Sequence, residues 1–203
     1  MSHATQAVRT TGRGLRRRRA IVEAAADLFA RRGYPAVGMD DIGAAAGVTG
    51  PAIYRHFESK ASVLAAVIDG IIDAVDRPGP AAGSADGPPA EPAITLAEHI
   101  ARYASAVAER RELMAVFVRE VHHLPDEQAQ QLRHRQRDLV ARWRVLLAQV
   151  HPDWPAEQVR TAVHAVFGML NAVGTFASPL DDEDLADQLT ALASHALALP
   201  RRR

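Results

Sequence analysis

Apolar residues recur every three to four positions along most of this chain, which is the spacing of helices that bury one face. The first stripe runs through Ile21, Ala25, Leu28 and Phe29 and stops before Gly33, a residue typical of a helix end. Similar stripes predict further helices over about 39–46, 49–57, 61–76, 94–109, 112–122, 126–150, 155–176 and 183–199. No segment of useful length alternates with period two, so we predict an all-α protein without a sheet.

The helical pattern is interrupted between two sets of helices. Residues 78–92 read PGPAAGSADGPPAEP, which offers little to bury and is typical of a linker. This break places a connecting helix at 61–76, a Pro/Gly-rich linker at 77–93 and a helical domain at 94–203. A chain of 203 residues is long enough for two small domains.

Charge is distributed unevenly although the net formal charge is zero. Residues 1–60 carry ten basic and five acidic side chains, and the remaining residues carry the opposite excess. A basic segment joined to an acidic one is typical of a polyanion-binding module attached to another domain, although a solvated charge run would look the same. The chain has no cysteine, which excludes disulfides, zinc–thiolate sites and a thiol nucleophile.

The most informative stretch runs from Met39 to Lys60, where two short predicted helices meet at Gly47. A tight turn favours a residue without a Cβ at that position, and the three alanines at 44–46 are small enough for two helices to cross closely. The small apolar core of this motif would consist of Ile42, Val48, Ile53 and Phe57. This is the pattern of a helix-turn-helix, whose second helix enters the major groove of DNA.

The same stretch resembles the DNA-binding domain of the TetR family of transcriptional regulators over residues 16–68. The matching segments are Ala30–Tyr34, Asp41–Ile42, Ala46–Thr49, Ile53–Phe57 and Ser59–Lys60. The resemblance implies an N-terminal three-helix helix-turn-helix domain at 16–60, followed by a C-terminal helical domain for ligand binding and dimerisation. The run AGVTGPAIYRHFESK is highly specific, whereas the C-terminal part resembles the family only in being helical and of suitable length.

The resemblance also assigns DNA contacts. Tyr54 and Lys60 would contact phosphates, His56 would lie near the DNA backbone, and Thr49 would cap the recognition helix. The full set that it implies is Thr49, Gly50, Pro51, Ala52, Tyr54, Arg55, His56 and Lys60.

Three positions depart from the family's pattern. Gly38 stands where a threonine often caps the second helix, and Gly50 and Ala52 replace polar residues. Arg55 is then the obvious side chain for reading a base edge, such as that of guanine. These departures leave open a second hypothesis, in which the DNA-binding part has degenerated and the chain is a helical ligand-binding protein.

Residues 1–15 are predicted to form a basic flexible arm. Together with the start of the first helix they carry six arginines, Arg9, Arg13 and Arg16 to Arg19. Such an arm would enter a minor groove or neutralise phosphates, and the alternative is a solubilising tail.

The C-terminal helices are expected to form a homodimer and to enclose a ligand. Residues 155–176 are apolar on most faces, which suits a dimer interface between two copies through residues 155–199, with a single-chain core as the alternative. The effector would be small, either hydrophobic or acyl-CoA-like. Its pocket would be lined by Tyr103, Met114, Phe117, Val118, Trp143, Leu147, Phe167 and Met169, and the same residues suit an ordinary core equally well.

Other classes of function lack support in the sequence. His122 and His123 are adjacent, so on a helix they would point about 100° apart and would not share a metal ion. No nucleophile–base set or glycine-rich phosphate loop stands out, so neither an enzyme nor a cofactor is predicted. The stretch 161–180 has no formal charge but contains polar residues and glycine, so we interpret it as buried in protein rather than in a membrane. The sequence thus predicts a cytoplasmic, ligand-responsive homodimeric repressor that binds a double-stranded operator.

Overall fold

Every regular secondary-structure element in the part of the chain that the structure describes is a helix. This computed structural model describes residues 3–75 and 91–199, and residues 3–11 by their backbone alone. No strand occurs within these ranges, which confirms the predicted all-α class. The nine α-helices of the described ranges are α1 His3–Arg32, α2 Met39–Ala45, α3 Gly50–Ile53, α4 Lys60–Val75, α5 Pro92–Ala108, α6 Arg111–Glu120, α7 Asp126–Val150, α8 Ala156–Asn171 and α9 Asp182–Ala196. Short 3-10 turns follow α6 at Val121–His123 and α8 at Ala172–Gly174.

Several boundaries differ from the sequence-based expectation, among them the starts of α1 and α5 and the end of α3 at Ile53 instead of 57. Helix α1 already begins at His3, whereas residues 1–15 were predicted to be an arm. The segment contains no proline, and its alanines and arginines are good helix formers that can extend a helix already anchored by the packed residues from Ile21 onward. Helix α5 begins at Pro92, inside the predicted linker 77–93, because a proline is tolerated in the first turn of a helix. Residues 77–90 of that linker lie outside the described ranges.

The buried side chains form two clusters, which define a head (α1–α4) and a body (α5–α9). The head cluster centres on Phe29, Ile42 and Ile53, none of which has any exposed surface. The body cluster gathers side chains from α5, α7, α8 and α9 around the fully buried Leu147 and the almost fully buried Trp143. Helix α5 occupies the middle of the body and packs against α7, α8 and α9.

Helix α4 joins the head to the body. Its Ile68 and Ile72 pack in the head cluster, whereas Ile71 packs in the body cluster. On its outer face Asp69 and Asp73 both pair with Arg135 of α7. Burial, the largest effect, raises the pKa of Asp69, and the neighbouring Asp73 raises it further, while Arg135 opposes both. This ionic contact connects α7 of the body to α4.

A close backbone approach locks α6 against the 3-10 turn that follows α8. A Cβ added at Gly174 would lie 2.5 Å from the carbonyl carbon of Met114 and 2.7 Å from the amide nitrogen of Ala115. Only glycine fits at this distance. The contact fixes the start of α6 in the body, while the end of the same helix faces the head.

Candidate nucleic-acid interface

The turn between α2 and α3 has the geometry that the sequence predicted. Gly47 adopts a left-handed conformation with φ of 64°, which glycine accepts without strain. The amide of Val48 donates to the carbonyl of Gly43 at 2.9 Å, and a Cβ at Gly43 would lie 3.3 Å from the Val48 carbonyl oxygen. The two helices therefore meet closely, with Ile42 and Ile53 buried beneath them.

Helix α3 is short, and its exposed side chains lie at Pro51 and in the residues that flank it. Thr49 occupies the N-cap position, and its carbonyl accepts from the amides of Ala52 and Ile53 at 2.8 and 3.2 Å. Its side chain makes no capping hydrogen bond, so the expected side-chain cap is absent. Thr49, Pro51, Tyr54 and Arg55 are exposed, whereas Gly50, Ala52 and His56 are half-buried. An exposed tyrosine and arginine at a helix-turn-helix surface suit contacts to a phosphate and to a base edge.

The start of α4 completes this surface. The amide of Ser62 donates to the Ser59 hydroxyl oxygen, and the amide of Ser59 donates to the Ser62 hydroxyl oxygen, both at 3.2 Å. This reciprocal capping fixes the first turn of α4. Lys60, the next residue, is half-buried, and its Nζ donates to the carbonyl oxygen of Tyr34 at 2.9 Å. The ammonium also lies 4.2 Å from the centre of the Tyr34 ring, so it points back toward the turn after α1.

Tyr34 connects this lysine to the body. Its amide donates to Oε1 of Glu120 at 3.3 Å, and its ring stacks on that of His123, with the ring centres 4.9 Å apart. Burial, followed by the charge of Glu120, raises the pKa of Tyr34, so its phenol stays neutral at physiological pH. Glu120 is the buried charged residue among the described side chains, with 7% of its surface exposed. The end of α6 thus contacts the same residue that holds Lys60.

The start of α2 shows how the chain compensates for Gly38. The Gly38 amide donates to Oδ2 of Asp41 at 2.8 Å, and Oδ1 of Asp41 pairs with Arg32 at 3.3 Å. The hydrogen bond from Gly38, followed by that from Arg32, lowers the pKa of Asp41. The carboxylate in the first turn therefore anchors the helix start where the glycine has no side chain to do so.

The arginines of α1 lie beside the helix-turn-helix. Arg18 stacks its guanidinium over the Phe57 ring, 4.7 Å from the ring centre, and Arg19 pairs with Glu23 at 2.8 Å. Arg13, Arg16 and Arg17 are exposed. Because these residues belong to a continuous helix, their positions are set by the helix rather than by an extended arm.

Two family models match the chain. The model described as bacterial regulatory proteins of the tetR family matches residues 21–67. The model described as the tetracyclin repressor-like C-terminal domain matches residues 89–197, more than half of the chain. This chain belongs to the TetR family of transcriptional regulators. Membership confirms the predicted family and the prediction of a regulator rather than an enzyme.

Individual relatives agree with this assignment. The chain is 44% identical over 57 residues to the HTH-type transcriptional activator FasR of Mycolicibacterium smegmatis. It is 40% identical over 57 residues to the HTH-type transcriptional repressor KstR2 of Rhodococcus jostii. These matches cover 28% of this chain and only 26% and 28% of the two relatives, so the chain aligns with about a quarter of each.

Solved structures match over nearly the whole chain. A TetR-family regulator from Bordetella parapertussis is 26% identical, with a TM-score of 0.69 over 87% of this chain and 93% of that one. AibR, solved in complex with isovaleryl coenzyme A and operator DNA, is 21% identical, with a TM-score of 0.67 over 87% of this chain and 97% of that one. At that identity the second match shows the shared fold alone.

The predicted pocket residues of this TetR-family chain differ in how far they are buried. Tyr103, Trp143 and Phe167 form an aromatic cluster, with ring centres 4.5 to 5.8 Å apart. Met114 and Leu147 are core residues, and Met169 and Phe117 are partly buried at its edge. Val118 faces solvent with 39% of its surface exposed, because the inner face of α6 is already taken by Met114 and Val116. Of the predicted set, Tyr103 and Phe167 line an open groove.

This groove lies between α7 and α8 and has a volume of about 1210 Å³. The hydroxyl of Tyr103 donates to Oδ1 of Asn171 at 2.7 Å across its floor, and burial raises the pKa of that phenol strongly. Sequence reasoning missed the polar lining residues, most notably Arg133, Arg137, Arg144, His164 and Asn171. The spacing of the three arginines on one predicted helix was a signal that could have indicated them.

The expected dimer face is exposed in the single chain. Helix α8 presents Thr161, Ala165 and Gly168 to solvent, and α9 presents Ala191 and Leu192. Leu192 has 48% of its surface exposed, and Phe176 between the two helices has 53%. Helix α8 ends at Asn171 rather than at the predicted 176, since the chain there turns to pass Gly174 over α6.

His122 and His123 are arranged differently from the expectation. They lie in a 3-10 turn, and their ring centres are 4.1 Å apart rather than on separate faces. Even so, no group of three potential ligands able to hold a metal ion occurs in the described ranges. Among the helices at 3–75 and 91–199, none combines the length and apolar character that a membrane span requires.

Proposed function

We propose that this chain is a homodimeric transcriptional repressor that reads a two-fold operator with α3 and releases it when a small effector binds the body. The observation that carries this proposal is the surface formed by α3 and the turn that follows it, where Tyr54 and Arg55 are exposed next to the buried Ile53. The basic excess of residues 1–60 adds electrostatic attraction to a duplex.

Dimerisation is supported by the uncovered face of α8 and α9. Thr161 and Ala165 of α8 are small enough for close approach of another helix, and Leu192 of α9 is an exposed apolar side chain. Two copies joined by these helices would present two recognition helices, as a palindromic operator with half-sites about 34–36 Å apart requires.

Ligand response is supported by the contacts between head and body. Arg135 links α7 to α4, and Glu120 links α6 to Tyr34 beside Lys60. A ligand that displaces α7 or α6 would therefore alter the position of the DNA-contacting residues. The coupling between effector and operator would be reciprocal and about 1–3 kcal/mol, as is typical of such linkage.

A second candidate function is a ligand-binding protein that no longer recognises a specific sequence. Gly50 and Ala52 on the DNA-facing side of α3 favour it, since neither can donate to a base edge. The compensation at Gly38 by Asp41 weighs against it, because the start of the motif remains anchored.

Selection of random duplex DNA on the purified protein distinguishes the two. We expect a palindromic site to be enriched and bound with a steep salt dependence. Arg55→Ala should weaken that site by about 1–3 kcal/mol and relax the base preference at one position of each half-site. Arg110→Ala, on the corner between α5 and α6, is the matched control and should bind like the wild type. Absence of any enriched site would favour the second candidate.

A further inference from the structure

Three arginines of α7 form a line along the groove between α7 and α8. Arg133, Arg137 and Arg144 are four and seven residues apart, which places them on one helix face, and all three line the groove. They are exposed and form no ion pair with any residue of the described ranges. Over eleven residues of helix the line is about 16 Å long.

Two other charged residues of the same helix, Arg135 and Asp138, have side-chain partners. Arg135 pairs with Asp69 and Asp73 of α4. Asp138, the acid among the described residues that line the groove, faces His134, with Nε2 and Oδ2 3.4 Å apart. The positive charge along the groove therefore exceeds the negative charge.

The floor of the groove is apolar and aromatic. Tyr103, Leu139 and Phe167 line it, each at most 8% exposed in the single chain. The opposite wall is formed by His164, Gly168 and Asn171 of α8. A volume of about 1210 Å³ exceeds the size of most pockets for small ligands. The groove thus combines a long basic edge with an aromatic floor.

We propose that this groove binds an amphiphile with a phosphate-bearing head, whose phosphates lie along Arg133, Arg137 and Arg144 while its apolar chain covers Tyr103 and Phe167. A single carboxylate would be satisfied by one arginine, whereas several phosphate charges match a line of three. The guanidinium fork pairs well with phosphate oxygens. This inference rests on the proposed function in taking the ligand to be an effector.

Binding is measured on the full-length protein without DNA, below the micelle concentration of each probe, by tryptophan fluorescence. Trp143 reports on the groove because its ring lies 4.5 Å from that of Phe167. The probes are palmitoyl-CoA, 1-palmitoyl lysophosphatidate, free CoA and palmitate. We expect one of the first two to bind at least about tenfold more tightly than free CoA and palmitate. Whichever is tighter identifies a nucleotide thioester or a phosphorylated lipid as the source.

Variants of the groove arginines show where the phosphate-bearing group of the ligand binds. Arg137→Ala and Arg144→Ala should each weaken the tight probe by about tenfold, as expected for loss of a charge-assisted hydrogen bond. Arg142→Ala removes the same charge two residues away and outside the groove lining, and it should leave binding unchanged. Equal weakening by all three variants would overturn the proposal, since it would indicate unspecific attraction. Palmitate binding as tightly as the phosphate-bearing probes, or no probe binding, would also overturn it.

Operator binding separates this proposal from the proposed function. If the amphiphile binds through Arg137 and Arg144 but leaves operator affinity unchanged, the groove assignment holds and ligand-controlled repression fails. If another molecule releases the operator while none of these probes binds, repression holds and the groove assignment fails. Lower operator affinity in the arginine variants without altered probe binding would assign the arginines to DNA and would overturn the groove assignment.

Discussion

The head and the body of this protein differ in where their distinctive polar side chains lie. The head buries its apolar residues under a short turn and points its chemistry outward, with Tyr54 and Arg55 exposed above Ile53. The body keeps its most distinctive polar pair inside a groove, where the Tyr103 hydroxyl donates to Asn171. The proposed DNA-contacting surface is thus built from residues close together in the chain, whereas the floor of the groove joins Tyr103 and Asn171, which are 68 residues apart.

The head is also less self-contained than the body. Its cluster includes Val116 of α6 and Leu124 and Leu132 from the region that follows. Among the described side chains of the head, Ile71 is the one buried residue that belongs to the body cluster. Because of this asymmetry, we expect a substitution that destabilises the body to destabilise the head more than the reverse. The following variants test this expectation in order of expected effect.

The largest effect is expected from the body core. Trp143→Ala should lower the free energy of unfolding by about 3–5 kcal/mol, because it empties a site that is 1% exposed. Urea titrations followed by helical circular dichroism and by Trp154 fluorescence should give coincident transitions if the head unfolds with the body. Separate transitions would show that the head is stable alone and would contradict the asymmetry.

A smaller loss of stability is expected at Gly174, where the chain passes close to the backbone of α6. Gly174→Ala places a Cβ against backbone atoms of Met114 and Ala115, which cannot move aside as a side chain can. We expect a loss of about 1–3 kcal/mol in chemical denaturation. Gly70→Ala is the matched control in α4, since a Cβ there meets nothing within 4 Å, and alanine should stabilise that helix by about 0.5–1 kcal/mol. Equal effects of the two substitutions would refute the close approach.

The junction at Glu120 tests coupling between the two parts. Glu120→Ala leaves the Tyr34 amide without its acceptor, which should cost about 1–3 kcal/mol of stability. Glu120→Gln keeps an acceptor oxygen and should cost less. Operator affinity should fall in the alanine variant, because Tyr34 also holds Lys60. An alanine variant with wild-type stability and operator affinity would show that the hydrogen bond from Tyr34 to Glu120 contributes to neither stability nor DNA binding.

The smallest effect is expected at the exposed start of α2. The pKa of Asp41 is lowered by the Gly38 amide and by Arg32, so its contribution to stability is present above the ordinary value of 3.8 and lost as the pH falls through the lowered one. Asp41→Asn should therefore be slightly less stable than the wild type at pH 7. The difference should shrink in acid unfolding below pH 3.8, and a difference that persisted there would exclude the carboxylate as its source.

The contrast between residues close together in the chain and residues on different helices explains which features the sequence could predict. Gly47, Ile42 and Ile53 were identified because a turn and its small core depend on residues close together in the chain. The groove was not, because Arg137 and His164 meet across helices whose relative rotation depends on the whole body core. The exposure of Val118 was missed for the same reason, since an amphipathic pattern does not say which apolar residue lies at the edge of the buried face.

Two local features were also missed. The hydroxyl of Thr49 makes no capping hydrogen bond, since Pro51 at the second position of α3 has no N–H to donate and the amide of Ala52 donates to the Thr49 carbonyl. The rings of His122 and His123 come together because a 3-10 turn, and not an α-helix, carries them. Both depend on details of backbone geometry that residue type alone does not determine.

The position of Lys60 over the Tyr34 ring has a practical consequence for spectroscopy. Lys60 is the single lysine of the chain, so amine-directed chemistry has one side-chain target. Reductive methylation with ¹³C-formaldehyde would place an NMR label 4.2 Å from an aromatic ring centre, where the ring current moves its resonance upfield. Movement of the ammonium from the ring to a phosphate would reverse that displacement, so one resonance would record operator occupancy in solution.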